Sequence, residues 1–286
     1  VEGFSTVTYK GNESTMYVGG TGFKPDLTWI KQRDGTRNPT LIDSIRGGTK
    51  QLFSNSTGTE ETYTTAITSF NTDGFTIGSQ YNINEDNKSM VAWNWDMGVD
   101  TPTGFGAVTY KGNNGTQDLS LGFEPDLVWI KKRGASEYHV MFDTVRGLGD
   151  GKALYPNADK NEGLYPNGNV SKTNSDGFTV ATGSTGINYV NQSSQDYIAW
   201  GWDMGNTTAT NTTGSINSTV RANPTYGQSI VSWSGNSQAN ASIGHGLSSA
   251  PDLVITKSRT DANDWVTDVS NITGTTGDAL RLNNST

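Results

Sequence analysis

The chain of 286 residues contains no cysteine and two histidines, His139 and His245. Small secreted domains usually carry disulfides, so the absence of cysteine indicates assembly in a reducing compartment or modules large enough to be stable without cross-links. Two histidines are too few for a histidine-rich metal site. We expect both to be surface residues and not metal ligands.

Positive charge and long apolar runs are also scarce. Charged residues make up 17% of the chain, the formal net charge is -8 and the calculated pI is about 4.7. A chain of this charge is a poor partner for nucleic acid or an anionic membrane. We find no apolar run approaching the roughly eighteen residues that a membrane-spanning helix needs. The sequence therefore predicts neither nucleic-acid binding nor membrane insertion.

Glycine and the small polar residues are abundant, with 35 glycines and many Asn, Ser and Thr. No long segment shows apolar residues at helical spacing. Many short strands joined by turns fit this composition better than helices or disorder do. The composition therefore favours an all-β protein.

A repeated segment organises the chain. Residues 22–33 read Gly-Phe-Lys-Pro-Asp-Leu-Thr-Trp-Ile-Lys-Gln-Arg, and residues 122–133 repeat the pattern with few changes. Residues 251–259 repeat part of it a third time. The alternation predicts a strand with Leu27, Trp29 and Lys31 on one face. Self-similarity of this kind indicates two full copies of one module and part of a third.

Each full copy ends in a second tryptophan-rich strand, at residues 91–98 and 198–205. Period two places Val91, Trp93 and Trp95 on one face. We expect this face to pack inside a sandwich against the face that carries Leu27 and Trp29. The predicted fold is therefore all-β, with tandem antiparallel β-sandwiches, two full repeats and a partial third.

The predicted domain boundaries follow the repeats. Residues 1–100 form repeat 1, 101–205 form repeat 2, 206–227 a Thr- and Asn-rich linker, and 228–286 a partial repeat 3. Repeat 3 has no counterpart of the closing tryptophan strand. Half a sandwich leaves an open edge and an apolar sheet. We therefore expect either that the polypeptide continues beyond Thr286 or that a neighbouring subunit supplies the missing strands.

Several motifs occur together in order: the repeated central strand, an Asp-x-x-Arg-Gly turn, an Asp-Gly-Phe-Thr hairpin and the closing Ala-Trp-x-Trp. With residues 214–224, Gly-Ser-Ile-Asn-Ser-Thr-Val-Arg-Ala-Asn-Pro, they resemble a tandem module of tail-fibre-like virion proteins of tailed, often marine, bacteriophages. The resemblance implies concanavalin-like or jelly-roll-like sandwiches in a virion appendage that attaches to a host-surface glycan. Its implied partners are copies of itself, as a trimer or filament, and other virion proteins.

The sequence shows no catalytic constellation, and we expect no enzymatic activity and no cofactor. Neither repeat has paired carboxylates on one strand, a nucleophile elbow or a phosphate loop. Asp43 with Arg46, and Asp143 with Arg146, recur in both full repeats. These pairs are either a polar binding site or turns in which the carboxylate caps backbone N–H groups, and we favour turns.

The candidate binding residues all lie in a segment that lengthens repeat 2. Glycan-binding candidates are Tyr155, Tyr165, Asn157 and Asn167, because tyrosines on a loop can stack on sugars. The alternative is that the tyrosines cover a domain junction or subunit interface. Asn157, Asp159 and Asn161 have the spacing of the start of a calcium loop, but Gly168 takes the place of its distal glutamate.

Thirteen of the 27 asparagines begin an Asn-x-Ser/Thr sequon. Random placement in this composition gives roughly six. This excess supports an alternative function, a glycosylated extracellular filament subunit built by end-to-end assembly of sandwiches. The candidate glycosylation sites in that case include Asn12, Asn55, Asn87, Asn169 and Asn240.

Overall fold

The computed structural model describes residues 3–98, 102–163, 165–184, 188–269 and 280–285. These residues form antiparallel sheets and one short helix, α1 (Tyr81–Asn84). The predicted all-β class with tandem sandwich modules is confirmed. In the described part of the chain, no helix has the length and apolar character needed to cross a bilayer.

Repeat 1 contains two sheets. Its strands are β1 (Phe4–Lys10), β2 (Met16–Gly19), β3 (Leu27–Gln32), β4 (Thr40–Asp43), β5 (Lys50–Phe53), β6 (Glu61–Thr62), β7 (Ile67–Asn71), β8 (Gly74–Ile77) and β9 (Ser89–Trp95). The larger sheet has the order β1-β9-β3-β4-β5-β6, and the smaller has the order β2-β8-β7.

Repeat 2 has the same plan. Its strands are β10 (Phe105–Lys111), β11 (Thr116–Ser120), β12 (Leu127–Lys132), β13 (Val140–Asp143), β14 (Asn169–Asn174), β15 (Gly177–Ala181) and β16 (Asp196–Trp202). The sheet orders are β10-β16-β12-β13 and β11-β15-β14. The closing strands β9 and β16 therefore lie between the first strand and the central strand of their repeats.

The described residues after repeat 2 form two three-stranded sheets. Their strands are β17 (Thr208–Asn211), β18 (Ser218–Asn223), β19 (Gln228–Trp233), β20 (Leu253–Thr256), β21 (Val266–Val269) and β22 (Leu280–Arg281). Residues 206–227, which we predicted to be a linker, contain β17 and β18, and β18 pairs with β19. The segment folds because its Thr and Val residues suit strands and Val220 is buried opposite Val231.

The tryptophans lie on the outside of each sandwich, contrary to our expectation. Trp29 of β3 is paired directly with Trp93 of β9, and their ring centroids are 4.2 Å apart. Because the two strands are neighbours in one sheet, Trp29 and Trp93 lie on the same face of that sheet and do not oppose each other across the sandwich. The sandwich interior is formed by the alternate residues, such as Ile30 and Ala92, which pack against Phe75 of the smaller sheet.

The tryptophan-bearing face of the larger sheet in each full repeat packs against the other repeats. One apolar core contains residues of all three repeats. They include Leu27, Trp29 and Trp93 of repeat 1, Trp129, Trp200 and Trp202 of repeat 2, and Trp265 and Leu282 of repeat 3. Burial of large aromatic side chains is worth several kcal/mol at about 25 cal/mol per Å². This central core therefore joins the repeats into one unit.

Equivalent contacts close the repeats into a ring. At or just beyond the end of each central strand, a lysine Nζ donates to a backbone carbonyl of another repeat. The pairs are Lys131 with Thr57 at 3.1 Å, Lys257 with Asp159 at 3.5 Å and Lys31 with Ser285 at 2.5 Å. The contacts run from repeat 2 to 1, from 3 to 2 and from 1 to 3. Head-to-tail contacts that close in this way give a ring with an approximate three-fold arrangement.

Ion pairs reinforce two of the three junctions. Glu60 accepts from Arg133 Nε at 2.8 Å and Nη2 at 2.9 Å, and Glu162 makes a matching contact of 2.5 Å with Arg259 Nε. Burial opposes ionisation of Glu60, but hydrogen bonds from Arg133 and the charge of Arg46 hold its pKa below the ordinary value. The carboxylate is therefore charged in the folded chain at neutral pH.

Repeat 3 is covered in part by the same chain. Trp265 is buried in the central core, and its Nε1 donates to the carbonyl of Tyr155 at 2.9 Å. Trp233, Val254 and Ile255 stay exposed. The described residues of repeat 3 do not form a closed sandwich. The apolar face that we expected to be exposed is therefore covered at Trp265 and exposed at Trp233 and Ile255.

Candidate functional site at the junction of the repeats

A shallow, largely open depression of about 550 Å³, which we call the pocket, lies where the three repeats meet. Each repeat contributes an asparagine to its lining: Asn55, Asn157 and Asn283. These asparagines occupy matching places: Asn55 follows β5, Asn283 follows β22, and Asn157 follows Leu154, which bridges to Met141 where the other repeats have that strand. The pocket is thus a product of the ring.

Local hydrogen bonds hold two of the three asparagines in the same way. The residue before the strand, His139 in repeat 2 and Trp265 in repeat 3, donates its backbone N–H to the asparagine Oδ1. Both N–O distances are 2.9 Å. These amides are therefore fixed by the backbone of their own repeat.

Repeat 1 has Pro39 at this place, and proline has no backbone N–H. The Oδ1 of Asn55 is consequently buried without a hydrogen-bond partner among the described residues. Its Nδ2 donates to Asn38 Oδ1 at 2.9 Å. Repeat 1 thus presents the least satisfied of the three amides.

Charged groups and one ring complete the pocket. Asp159, Lys160 and Asp264 line it, and so does the half-buried ring of Tyr138. Amides, carboxylates and an ammonium group near a phenol ring can together bind a hydroxyl-rich ligand through hydrogen bonds and ring contact. The arrangement suits a sugar better than an apolar ligand.

The predicted sugar-stacking role of Tyr155 is wrong. Its side chain has 0% exposure, so no ring face is available to a ligand. It belongs to a cluster in which Tyr138, Tyr155, Tyr165 and Tyr189 contact one another. Burial raises its pKa to about 12. The ring packs in the interior of repeat 2, with Val128, Phe142 and Val170, so it does not cover a junction either. Only the backbone carbonyl of Tyr155 meets repeat 3, where it accepts from Trp265 Nε1.

The other glycan candidates are divided by the structure. Asn157 lines the pocket, but Asn167 does not. Asn167 is buried, and its carbonyl accepts from the N–H of Tyr189 at 2.7 Å. Tyr165 is half-buried and stacks on Tyr138 at a centroid distance of 6.1 Å. It therefore supports the pocket through Tyr138.

The calcium candidates serve other contacts. Asn157 Oδ1 accepts from His139 N, and Asn161 Nδ2 donates to the carbonyl of Thr260 at 2.7 Å. Asp159 is exposed. Within the described ranges, no group of three or more His, Cys, Asp or Glu residues could hold a metal ion. The structure therefore gives the calcium prediction no support.

The sequon asparagines differ in access. Asn12, Asn87 and Asn240 are exposed. Asn169 is buried with its Nδ2 bonded to Asp150 Oδ1 at 2.7 Å, and Asn55 is half-buried with its Nδ2 bonded to Asn38. A glycan cannot be attached to an amide nitrogen that is held inside the fold, so Asn169 is unsuitable in the folded chain. Asn55 lines the pocket, and attachment there would break its bond to Asn38.

Our prediction that His139 is a surface residue is wrong. It has 0% exposure, and its Nδ1 accepts from Trp129 Nε1 at 2.9 Å. Burial holds its pKa well below the usual range, and the nearby charges of Lys131 and Arg46 act in the same direction. The ring is therefore neutral and acts as a hydrogen-bond acceptor at the junction of repeats 1 and 2.

The preference for a turn at the Asp-x-x-Arg motif is confirmed. Asp43 Oδ1 accepts from the backbone N–H of Arg46 at 2.7 Å, and Asp143 does the same for Arg146 at 2.9 Å. The arginine side chain folds back on the same carboxylate. Repeat 1 adds a second role, because Trp200 of repeat 2 donates to Asp43 Oδ2.

Sequence reasoning did not identify Tyr138 or the residues that close the ring. Tyr138 directly precedes His139, where repeat 1 has Asn38 and repeat 3 has Asp264. An alignment of the three repeats would have shown that the Tyr138 position varies, whereas the position of Asn157 is asparagine in all three. The lysines recur at matched places too, but nothing in one strand shows that its lysine reaches another repeat.

Comparison with known proteins gives a family and no function. The model of a family described as a domain of unknown function, DUF7483, matches residues 2–104 and again residues 100–286. The chain belongs to this family. The first DUF7483 match covers repeat 1, and the second covers repeats 2 and 3. No curated protein and no solved structure matches the chain.

Proposed function

We propose that this DUF7483 protein is a non-enzymatic structural component of a phage virion, a tail-fibre or other appendage protein that binds a host-surface glycan. The observation that supports this most is the closed ring of three repeats with a polar pocket at its junction. A three-part ring has the symmetry to sit end-on against a trimeric fibre, with one repeat meeting each fibre subunit. The location that follows is extracellular, on the virion.

The pocket supplies the binding chemistry for this proposal. Three amides, Tyr138 and the charged groups of Asp159 and Lys160 converge there. Single sugar sites are usually weak, and several copies on one virion gain strength through multivalency. Copies of the chain, other virion proteins and the host glycan are therefore the proposed partners.

The test combines location with binding. Antibodies to the protein, used in electron microscopy of phage particles, should label an appendage. The purified chain, applied to arrays of bacterial surface polysaccharides, should bind at least one of them. Replacing Asp159 and Lys160 with Ala should weaken that binding at least tenfold. Lys24→Ala with Asp86→Ala, a matched pair of exposed residues outside the pocket, should leave it unchanged. Unlabelled virions together with no polysaccharide bound would defeat the proposal.

A glycosylated extracellular filament subunit is the second candidate, and the exposure of Asn12, Asn87 and Asn240 favours it. Intact mass separates the two candidates. The filament proposal requires a mass above the 30.7 kDa of the polypeptide, in steps of hexose or N-acetylhexosamine. A measured mass equal to that of the polypeptide eliminates it.

A further inference from the structure

The central strand of repeat 3 has one edge without a neighbour. In repeats 1 and 2 the central strand pairs on one side with β4 or β13 and on the other with the closing strand, β9 or β16. In repeat 3 the central strand is β20, and β21 pairs with it on the side where β4 and β13 pair in the other repeats. On the second side, no described strand pairs with it.

The free edge is identified by the pattern of backbone hydrogen bonds. Arg33 N donates to Ser89 O and Arg133 N donates to Asp196 O, so these backbone groups point towards the closing strand. Alternate residues of a strand point their N–H groups to the same side. By this alternation the N–H groups of Leu253 and Ile255 point to the open edge, and those of Val254 and Thr256 point to β21.

The side chains at this edge are apolar and exposed. Val254 has 40% and Ile255 has 37% relative exposure, whereas Thr28 and Trp29 at the same places in repeat 1 have 0% and 2%. In the separate sheet that contains β19, Trp233 also has 37% exposure, whereas its counterpart in repeat 2, Tyr110, has 8%. Exposed edges in stable proteins usually carry charge or proline, which block pairing with another strand. β20 carries neither.

We propose that β20 accepts an extended segment of a partner polypeptide that has the alternating, tryptophan-bearing chemistry of the closing strands. The two complete repeats show which kind of strand covers this edge, since β9 pairs with the corresponding edge of β3 and β16 with that of β12. An added antiparallel strand would satisfy the N–H groups of Leu253 and Ile255. Its tryptophan would lie beside Ile255, as Trp93 lies beside Trp29.

This inference does not depend on the proposed function, because it concerns assembly and not the pocket. It makes repeat 3 a joint through which the ring is attached to another protein. A second copy of the chain is a less suitable partner, because its β9 and β16 are already paired on both edges.

The experiment uses a fluorescent synthetic peptide with the sequence of residues 196–205, Asp-Tyr-Ile-Ala-Trp-Gly-Trp-Asp-Met-Gly. Fluorescence anisotropy with the full chain should show saturable binding. The same peptide with both tryptophans replaced by Ser should bind at least tenfold more weakly. Absence of saturable binding, or equal binding of the two peptides, overturns the proposal.

Two variants locate the binding. Ile255→Pro removes one N–H from the open edge and no bond to β21, so it should fold and bind the peptide at least tenfold more weakly. Ile255→Lys keeps the N–H but adds charge, and it should also weaken binding. Circular dichroism confirms that each variant is folded. Peptide binding that is unchanged in both folded variants places the peptide elsewhere and overturns the proposal.

Light scattering tests whether a second copy of the chain occupies the open edge of β20. The unliganded chain should have the same molar mass at micromolar concentration as Ile255→Pro, because no second copy is held at β20. A dimer that Ile255→Pro dissociates would show that a second copy covers β20, and this outcome contradicts the proposed partner segment.

Discussion

Asp43 in the first repeat accepts a hydrogen bond from the indole Nε1 of Trp200 in the second repeat, with a distance of 3.1 Å. The same carboxylate caps the turn of its own repeat and receives the guanidinium of Arg46. One buried side chain therefore both shapes a turn and fixes the neighbouring repeat. Trp93, the counterpart of Trp200 in repeat 1, has no partner for its Nε1 among the described residues.

We predict that Trp200→Phe destabilises the chain more than Trp93→Phe does. Both changes remove a similar part of a buried ring from the central core. Only Trp200→Phe removes a hydrogen bond, the one to the buried Asp43 carboxylate, and the loss of such a bond costs about 1–2 kcal/mol even though Arg46 still contacts that oxygen. Urea denaturation of the two variants measures the difference. Equal losses would show that the bond to Asp43 contributes nothing to stability.

Glu60→Gln should lower the free energy of unfolding by about 2 kcal/mol, since it weakens charge-assisted bonds to both Arg46 and Arg133. The matched control is Asp196→Asn, which breaks an ion pair with Lys111 whose side chains are 63% and 56% exposed. Such surface pairs are worth about 0–1 kcal/mol. Denaturation midpoints of the two variants decide the matter, and a smaller loss for Glu60→Gln would contradict the importance of this junction.

The stability of the ring should rise with pH above neutrality. Burial lowers the pKa of Lys131 to about 7 and that of Lys31 to about 8, below the unfolded value of about 10.4. At pH values between the folded and the unfolded pKa of these lysines, the unfolded chain binds more protons than the folded chain, so raising the pH favours folding. The slope for Lys131 is at most about 1.4 kcal/mol per pH unit.

Urea denaturation between pH 7 and pH 9 measures this slope. Lys131→Met should reduce the slope, most of all between pH 7 and pH 8, because Lys31, whose pKa is about 8, still contributes above that range. Lys10→Met makes the same change at an exposed place and keeps Lys131, so it should retain the slope. A slope that is unchanged in Lys131→Met would assign it to other groups.

His139 should make the fold sensitive to acid. Its folded pKa lies well below the ordinary value of about 6.5, so below that pH the unfolded chain takes up the proton first and stability falls. His139→Gln keeps an acceptor for Trp129 Nε1 and should reduce the loss between pH 6.5 and pH 5. Thermal unfolding at both pH values tests this, and an unchanged loss would mean that His139 has no part in it.

The sequence predicted the modules because their repetition and period-two alternation are local properties. It did not predict how the modules meet, because alternation cannot tell whether two apolar faces oppose each other or lie side by side. Trp29 and Trp93 were expected across a sandwich and are neighbours in one sheet. The burial of His139 and Tyr155 was missed as well: the His139 ring lies beside Arg46 of repeat 1, and the Tyr155 ring packs in the interior of repeat 2. Asn157 was identified, but its pocket exists only once three distant segments converge.

A ring built from one polypeptide can differ from repeat to repeat, whereas in a homotrimer every substitution appears three times. Around the pocket the three matching places are Asn38, Tyr138 and Asp264, one amide, one phenol and one acid. A guest on the axis of a homotrimer has three equivalent orientations. Here the three places differ, so a ligand of the proposed site would have one preferred orientation, whereas a homotrimer would offer it three equivalent ones.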